Sequence, residues 1–159
     1  MQRVWSGSPD TGKFTTARVT GRTLPRQATT ERATFARVPT PDIRDLLERY
    51  TACVTAGDVG GIVALYAPEA TAEIPVGGPV HRGIDAIHRF YTDNELAESL
   101  TLTGPVRVAG FEAAAPMQAI VVRDGTKLRV DVIDVVQVGE DGLLRSMRAY
   151  FDLEGASPL

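Results

Sequence analysis

The sequence predicts an α+β fold in which a curved, mostly antiparallel sheet wraps three N-terminal helices. Apolar residues recur at helical spacing in three segments before residue 95, and from Leu100 onward the texture changes to strand alternation. The turn signals Asp124-Gly125 and Glu140-Asp141-Gly142 then join successive strands by hairpins rather than by helical crossovers.

The elements follow in order. Residues 1–40 are rich in Gly, Ser, Thr and Arg without a sustained period and are expected to be a disordered basic extension. The folded domain is expected over residues 41–153, with 154–159 as a C-terminal tail. Thr40-Pro41-Asp42 reads as a helix start, with Thr40 as the cap. Ile43, Leu46, Leu47, Tyr50 and Val54 form the stripe of the first helix, with Cys53 beside it. Ala56-Gly57-Asp58 ends that helix and caps the second, expected from Val59 to about Tyr66 and stopping before Pro68. Thr71–Ile74 reads as a short strand closed by Pro75 and the Gly77-Gly78-Pro79 turn. A third helix is expected from Ile84 to Asn94, grouping Ile84, Ile87 and Tyr91 with Phe90 adjoining. Strands are expected over Leu100–Val108, Ala115–Val122, Lys127–Val138 and Leu143–Phe151.

The Lys127–Val138 strand alternates with one exception. Leu128, Val130, Val132, Val136 and Val138 share a face, and Arg129, Asp131 and Gln137 mark the other. Asp134 falls among the valines. A carboxylate there is costly unless it is paired, hydrogen-bonded or kept protonated. It is either a structural aspartate satisfying a buried group or a functional acid, expected in that case to be protonated at neutral pH. Tyr50 also lies on a buried stripe, so its hydroxyl requires a partner inside the core.

Composition narrows the function. Residues 1–40 hold seven basic and two acidic side chains, a net +5, whereas residues 41–159 hold ten basic and eighteen acidic, a net −8. An acidic domain offers no footprint for nucleic acid, so a small uncharged molecule is the expected partner. Cys53 is the only cysteine, which rules out an intrachain disulfide. His81 and His88 have neither zinc-helix spacing nor a neighbouring serine, so neither a metal nor another cofactor is expected. No apolar run approaches a membrane span, and the expectation is a cytoplasmic protein.

An ordered set of short segments resembles the bacterial ketosteroid isomerases, the steroid Δ5-isomerase type of the nuclear-transport-factor-2-like (SnoaL-like) superfamily. The set comprises Arg49-Tyr50, Ala56-Gly57-Asp58, Gly61–Ala67, Ala70–Gly77, Phe90-Tyr91, Val132–Val135 and Ser146–Phe151, and the resemblance covers residues 41 to about 153. It implies a homodimer of cone-shaped domains, each with a deep apolar pocket for a 3-oxosteroid. In such enzymes a base moves a proton from C4 to C6 through a dienolate, whose oxyanion receives two hydrogen bonds. By position, Tyr50 and Asp134 correspond to the two donors. Tyr66 and Tyr91 correspond to tyrosines behind the donor, and Phe90, Met147, Ala149 and Phe151 to the pocket wall; core packing is the plainer role for each.

One position departs from the pattern. Family members carry the basic aspartate directly before the Pro-Val-Gly turn, and here that position is Ile74. Glu73 precedes it, but alternation sends Glu73 to the opposite face unless the strand slips or bulges by one residue. Three functions are compatible with these residues: an isomerase with an impaired base, a non-catalytic binder of flat apolar ligands, or a SnoaL-like cyclase or epoxide-opening enzyme.

Overall fold

The structure, a computed structural model, describes residues 41–159. The expectation of disorder over residues 1–40, and Thr40 as a cap, lie outside the described residues. Helix α1 (Ile43–Ala56) is capped by Asp42, whose carboxylate accepts from the Asp45 N–H at 3.1 Å. It buries Ile43, Leu46, Leu47, Tyr50 and Val54, the stripe expected from the spacing. Gly57, at φ 68°, ends it in the left-handed region that glycine adopts without steric cost. Asp58 then caps α2 (Val59–Val63) by accepting from the Gly61 N–H at 2.8 Å.

Helix α2 stops three residues short of the expected end, and Tyr66 opens strand β1 (Tyr66–Glu73) instead. Tertiary pairing overrides helical spacing here: Tyr66 registers with Leu144, whose N–H donates to the Leu65 carbonyl at 2.8 Å. Pro68 is tolerated inside β1 because the pairing shifts register between Tyr66 and Thr71, and the neighbour on the other side begins only opposite Thr71. That neighbour, β2 (Val80–Arg82), was not foreseen; it returns antiparallel after the Gly77-Gly78-Pro79 turn. Helix α3 (Ile84–Asp93) buries Ile87 and Tyr91.

The strand expected over Leu100–Val108 is two strands, β3 (Ser99–Leu102) and β4 (Arg107–Ala109). Gly104-Pro105 separates them: proline has no N–H for a ladder, and a Cβ on Gly104 would stand 3.1 Å from the Pro116 ring. Both pair with the long β5 (Glu112–Arg123). Asp124-Gly125 turns β5 into β6 (Thr126–Val138), and the Gly139–Leu143 turn leads to β7 (Leu144–Tyr150). The order across the sheet is β2-β1-β7-β6-β5-β3, antiparallel except for the parallel β1–β7 pair. This is the α+β architecture expected from the sequence, an unclosed curved sheet whose inner face packs on the helices.

Residues 154–159, expected as a tail, return to the sheet. Strand β7 registers only with Ile133–Val138 of β6, which leaves the first half of that edge open. The C-terminal strand β8 (Ser157–Pro158) pairs there with Leu128 and Arg129, and the Leu159 N–H donates to the Lys127 carbonyl at 3.0 Å. An unpaired edge exposes a row of backbone donors and acceptors, so this short strand covers a local liability. Deleting residues 154–159 is expected to accelerate amide hydrogen exchange over Lys127–Arg129 and to leave the β7-paired half of β6 unchanged. Equal rates in both proteins would show that β8 contributes no protection.

Candidate active site

Strand alternation places Asp134 on the inner face of β6, where it is 2% exposed among buried Val130, Val132 and Val136. Its Oδ1 has no hydrogen-bond partner among the described residues. Burial pushes its carboxyl up to about 7, because the charged form loses its hydration. The group expected to be protonated at neutrality is thus poised between its two forms there.

Three tyrosines converge behind it from different elements: Tyr50 from α1, Tyr66 from the start of β1 and Tyr91 from α3. The Tyr50 and Tyr91 hydroxyls are 3.1 Å apart, and those of Tyr66 and Tyr91 are 3.0 Å apart. The Tyr66 hydroxyl also donates to Met147 Sδ at 3.0 Å. Burial, then the neighbouring phenols and Asp134, hold Tyr50 and Tyr66 well above the usual range. Tyr91 is pushed up to about 12 by burial, although its hydrogen bonds to Tyr50 and Tyr66 oppose the shift. All three are neutral donors across ordinary pH.

Tyr50, Tyr91 and Asp134 line a cavity of about 370 Å³. That is the size of a small-molecule site, and its remaining wall is mostly apolar. Of the other residues singled out in the sequence, Ile74, Phe90, Ala149 and Phe151 line it as well. Tyr66 and Met147 do not; they are buried behind the wall, at 3% and 0% exposure. Glu73 is not brought into the cavity. It accepts from the Gly77 N–H at 2.9 Å and pairs with Arg148 at 2.9 Å, and these two contacts, in that order, lower its pKa. The β1–β2 register runs without a shift from Thr71 to Glu73, so no slip or bulge turns Glu73 inward.

Sequence reasoning missed several wall residues. Val121 was findable, since it follows Ala119 by two positions on β5 and both face inward. Leu96, Ala97 and Leu153 lie in segments without a period and carried no signal. Glu95 and Arg123 also line the cavity and look, in sequence, like ordinary surface charges. Among the described residues no group of three or more His, Cys, Asp or Glu side chains could hold a metal ion. No helix among them is long and apolar enough to cross a membrane.

A family model described as "SnoaL-like domain" matches residues 47–147, well over half of the chain. The chain belongs to the SnoaL-like domain family. This SnoaL-like domain is 34% identical over 110 residues to the steroid Delta-isomerase of Nocardioides simplex, spanning 69% of this chain and 89% of the relative. It also superposes, at a TM-score of 0.67 and 24% identity, on a solved structure of the epoxide hydrolase/cyclase-like enzyme SalBIII of pyran ring formation in the polyether salinomycin. That match covers 73% of this chain and 95% of the other and bears on the fold alone. The nuclear-transport-factor-2-like fold implied by the sequence resemblance is the fold observed.

The raised Asp134 carboxyl has a consequence for the stability of this SnoaL-like domain. The unfolded aspartate releases its proton near ~4, whereas the folded one retains it to about 7. Between these values the folded state binds the extra proton, so stability falls as pH rises and levels off above about 7. The full effect is on the order of 4 kcal/mol. Asp134→Asn, neutral throughout, is expected to lack this component. Urea midpoints for both proteins should therefore diverge from pH 4 to pH 7 in favour of the variant; a constant difference would mean that Asp134 titrates normally.

Proposed function

We propose that this domain is a steroid Δ5-isomerase-type enzyme with a working oxyanion site and a missing proton acceptor. Its ligand is a flat apolar ketone or phenol, best a 3-oxosteroid, whose oxygen is polarised by Tyr50 and Asp134. In the reaction a proton leaves C4, the C5=C6 double bond moves to C4=C5 through a dienolate with its charge on the C3 oxygen, and a proton arrives at C6. One observation carries the reading: a phenol and a protonatable carboxyl share the wall of a mostly apolar cavity. Donors fixed before charge develops stabilise an oxyanion without reorganising, the main electrostatic resource of such sites. The similarity to a steroid Delta-isomerase supports the substrate class.

Ile74 lines the same cavity and cannot take a proton. The C4 proton then passes to solvent or to Glu95, the other carboxylate of the cavity wall, and turnover is slow. The same observation favours a second reading, a binder of flat apolar ligands with little or no chemistry. A cyclase or epoxide-opening role requires acid and base on opposite sides of the substrate, and fits less well with Asp134 as the single buried carboxyl among the described residues.

Ile74→Asp is expected to raise turnover of a Δ5-3-ketosteroid by about two orders of magnitude or more, the usual scale for a positioned base. Glu73→Gln should leave the parent rate unchanged, since Glu73 faces Arg148. Loss of the parent rate in Glu95→Gln would identify Glu95 as the acceptor. A folded Ile74→Asp protein that binds a phenolic steroid but turns over no faster than the parent would leave the binder reading.

The outer face of the sheet supports self-association. Pro116, Ile133 and Tyr150 stand side by side on β5, β6 and β7, with Ile133 43% and Tyr150 40% exposed. We read this apolar row as part of a homodimer interface. Ile133→Glu is expected to shift sedimentation from dimer to monomer; a monomeric parent would refute the assignment.

A further inference from the structure

The three tyrosine hydroxyls and Met147 form a chain whose proton count is closed. The links are Tyr50–Tyr91 at 3.1 Å, Tyr91–Tyr66 at 3.0 Å and Tyr66–Met147 Sδ at 3.0 Å, and each hydroxyl has one proton. A thioether has no proton and accepts only. The last link therefore exists only when Tyr66 donates to sulfur. Tyr91 then donates to Tyr66 and Tyr50 to Tyr91, and all three protons run away from the cavity. The alternative acceptor geometry, Tyr91 to Sδ at 4.0 Å, also turns the Tyr91 proton away from Tyr50. For Tyr50 to donate to a ligand oxygen while both phenol–phenol links survive, the whole chain must reverse: Tyr66 to Tyr91, Tyr91 to Tyr50, Tyr50 to the ligand.

We infer that Met147 is a positioning residue that sets the proton order of this chain, competing with the ligand oxygen for its protons. The inference rests on the proposed role of Tyr50 as donor to the ligand. Its physical basis is the asymmetry between the two orders. Reversal keeps both phenol–phenol links and exchanges the O–H···S contact for a bond from Tyr50 to a developing oxyanion. Sulfur is a weak acceptor, and hydrogen bonds to charged groups are about twice as strong as neutral ones, so a charged ligand oxygen wins the exchange. A neutral carbonyl oxygen wins by less. The sulfur thus sets one fixed cost for either ligand, which a charged oxygen offsets more fully than a neutral ketone does; the differential a catalyst requires comes from that charge. Met147 is held for this role. It is fully buried, in register with Ala72 of β1 on one side and Val136 of β6 on the other, so the sulfur cannot follow a departing proton.

The test is Met147→Leu, which removes the acceptor at nearly constant volume, with affinity for a phenolic steroid as the readout. Without sulfur the outward order would leave the Tyr66 proton buried without an acceptor, so the chain is already turned toward the cavity. Binding is expected to tighten about threefold to tenfold, the scale of one net hydrogen bond. A 3-deoxy analogue without the phenolic oxygen should bind both proteins equally. In a Tyr66→Phe background, which leaves only the long 4.0 Å contact from Tyr91, the Met147→Leu effect should shrink well below its size in the parent. Damage to packing alone weakens binding or leaves it unchanged, for both ligands and in both backgrounds, and that result would overturn the inference. A parent protein whose affinity is insensitive to Tyr50→Phe would instead fail the proposed function itself. Should Met147→Leu not fold, norleucine in place of methionine in a Met117→Leu background replaces the sulfur by a methylene, and the same outcomes apply.

Discussion

A carboxyl group held out of water without a full set of hydrogen bonds is the constraint around which this domain is arranged. Leaving a polar group in that condition costs on the order of 1–3 kcal/mol, and more if it is charged. A sheet built only for stability would place valine at position 134, as it does at 130, 132, 136 and 138. The surrounding structure accommodates the misfit rather than removing it. The helices α1 and α3 turn phenols toward the acid instead of arginines, so that its charge is not neutralised by an ion pair. Arg145 and Arg148 of β7 are committed on the outer face to Glu69, Asp141 and Glu73.

Two periodicities place the site. Strand alternation sends Asp134 inward and Glu73 outward, and helical spacing brings Tyr50 onto the face that contacts the sheet. These are local rules, which is why the α+β class, the stripe of α1 and the inward aspartate were legible from the residues alone. Ile74 was legible in the same way, as the inward neighbour of an outward glutamate. The resemblance to a known family added an order of motifs that no single spacing supplies.

The illegible parts all depend on pairing between distant segments. Tyr66 continues the helical spacing of α2, yet it belongs to β1 because Leu144, seventy-eight positions later in sequence, offers it a ladder partner. Pro68 reads as a helix stop and sits in a strand, since the irregular register there asks nothing of its missing N–H. Strand β8 has only two residues and no alternation to read; its existence follows from the length of β6 beyond the reach of β7. Glu95 and Arg123 border the cavity for reasons of loop path, which composition does not encode.

The cavity wall supplied by Ala149, Phe151 and Leu153, and the β8 strand beyond it, have a consequence for how the protein is made. These residues follow the rest of the cavity wall in the chain, and the parallel β1–β7 ladder joins residues 66–73 to a strand that ends at Tyr150. Contacts between segments so far apart are the slow ones, because chain entropy is lost before they form. On the ribosome the helices and β1 to β6 therefore emerge with one side of the cavity missing and Asp134 still open to water. The acid acquires its shifted proton affinity only once β7 and the segment after it have joined the sheet, so the site becomes competent to hold a ligand at that late step.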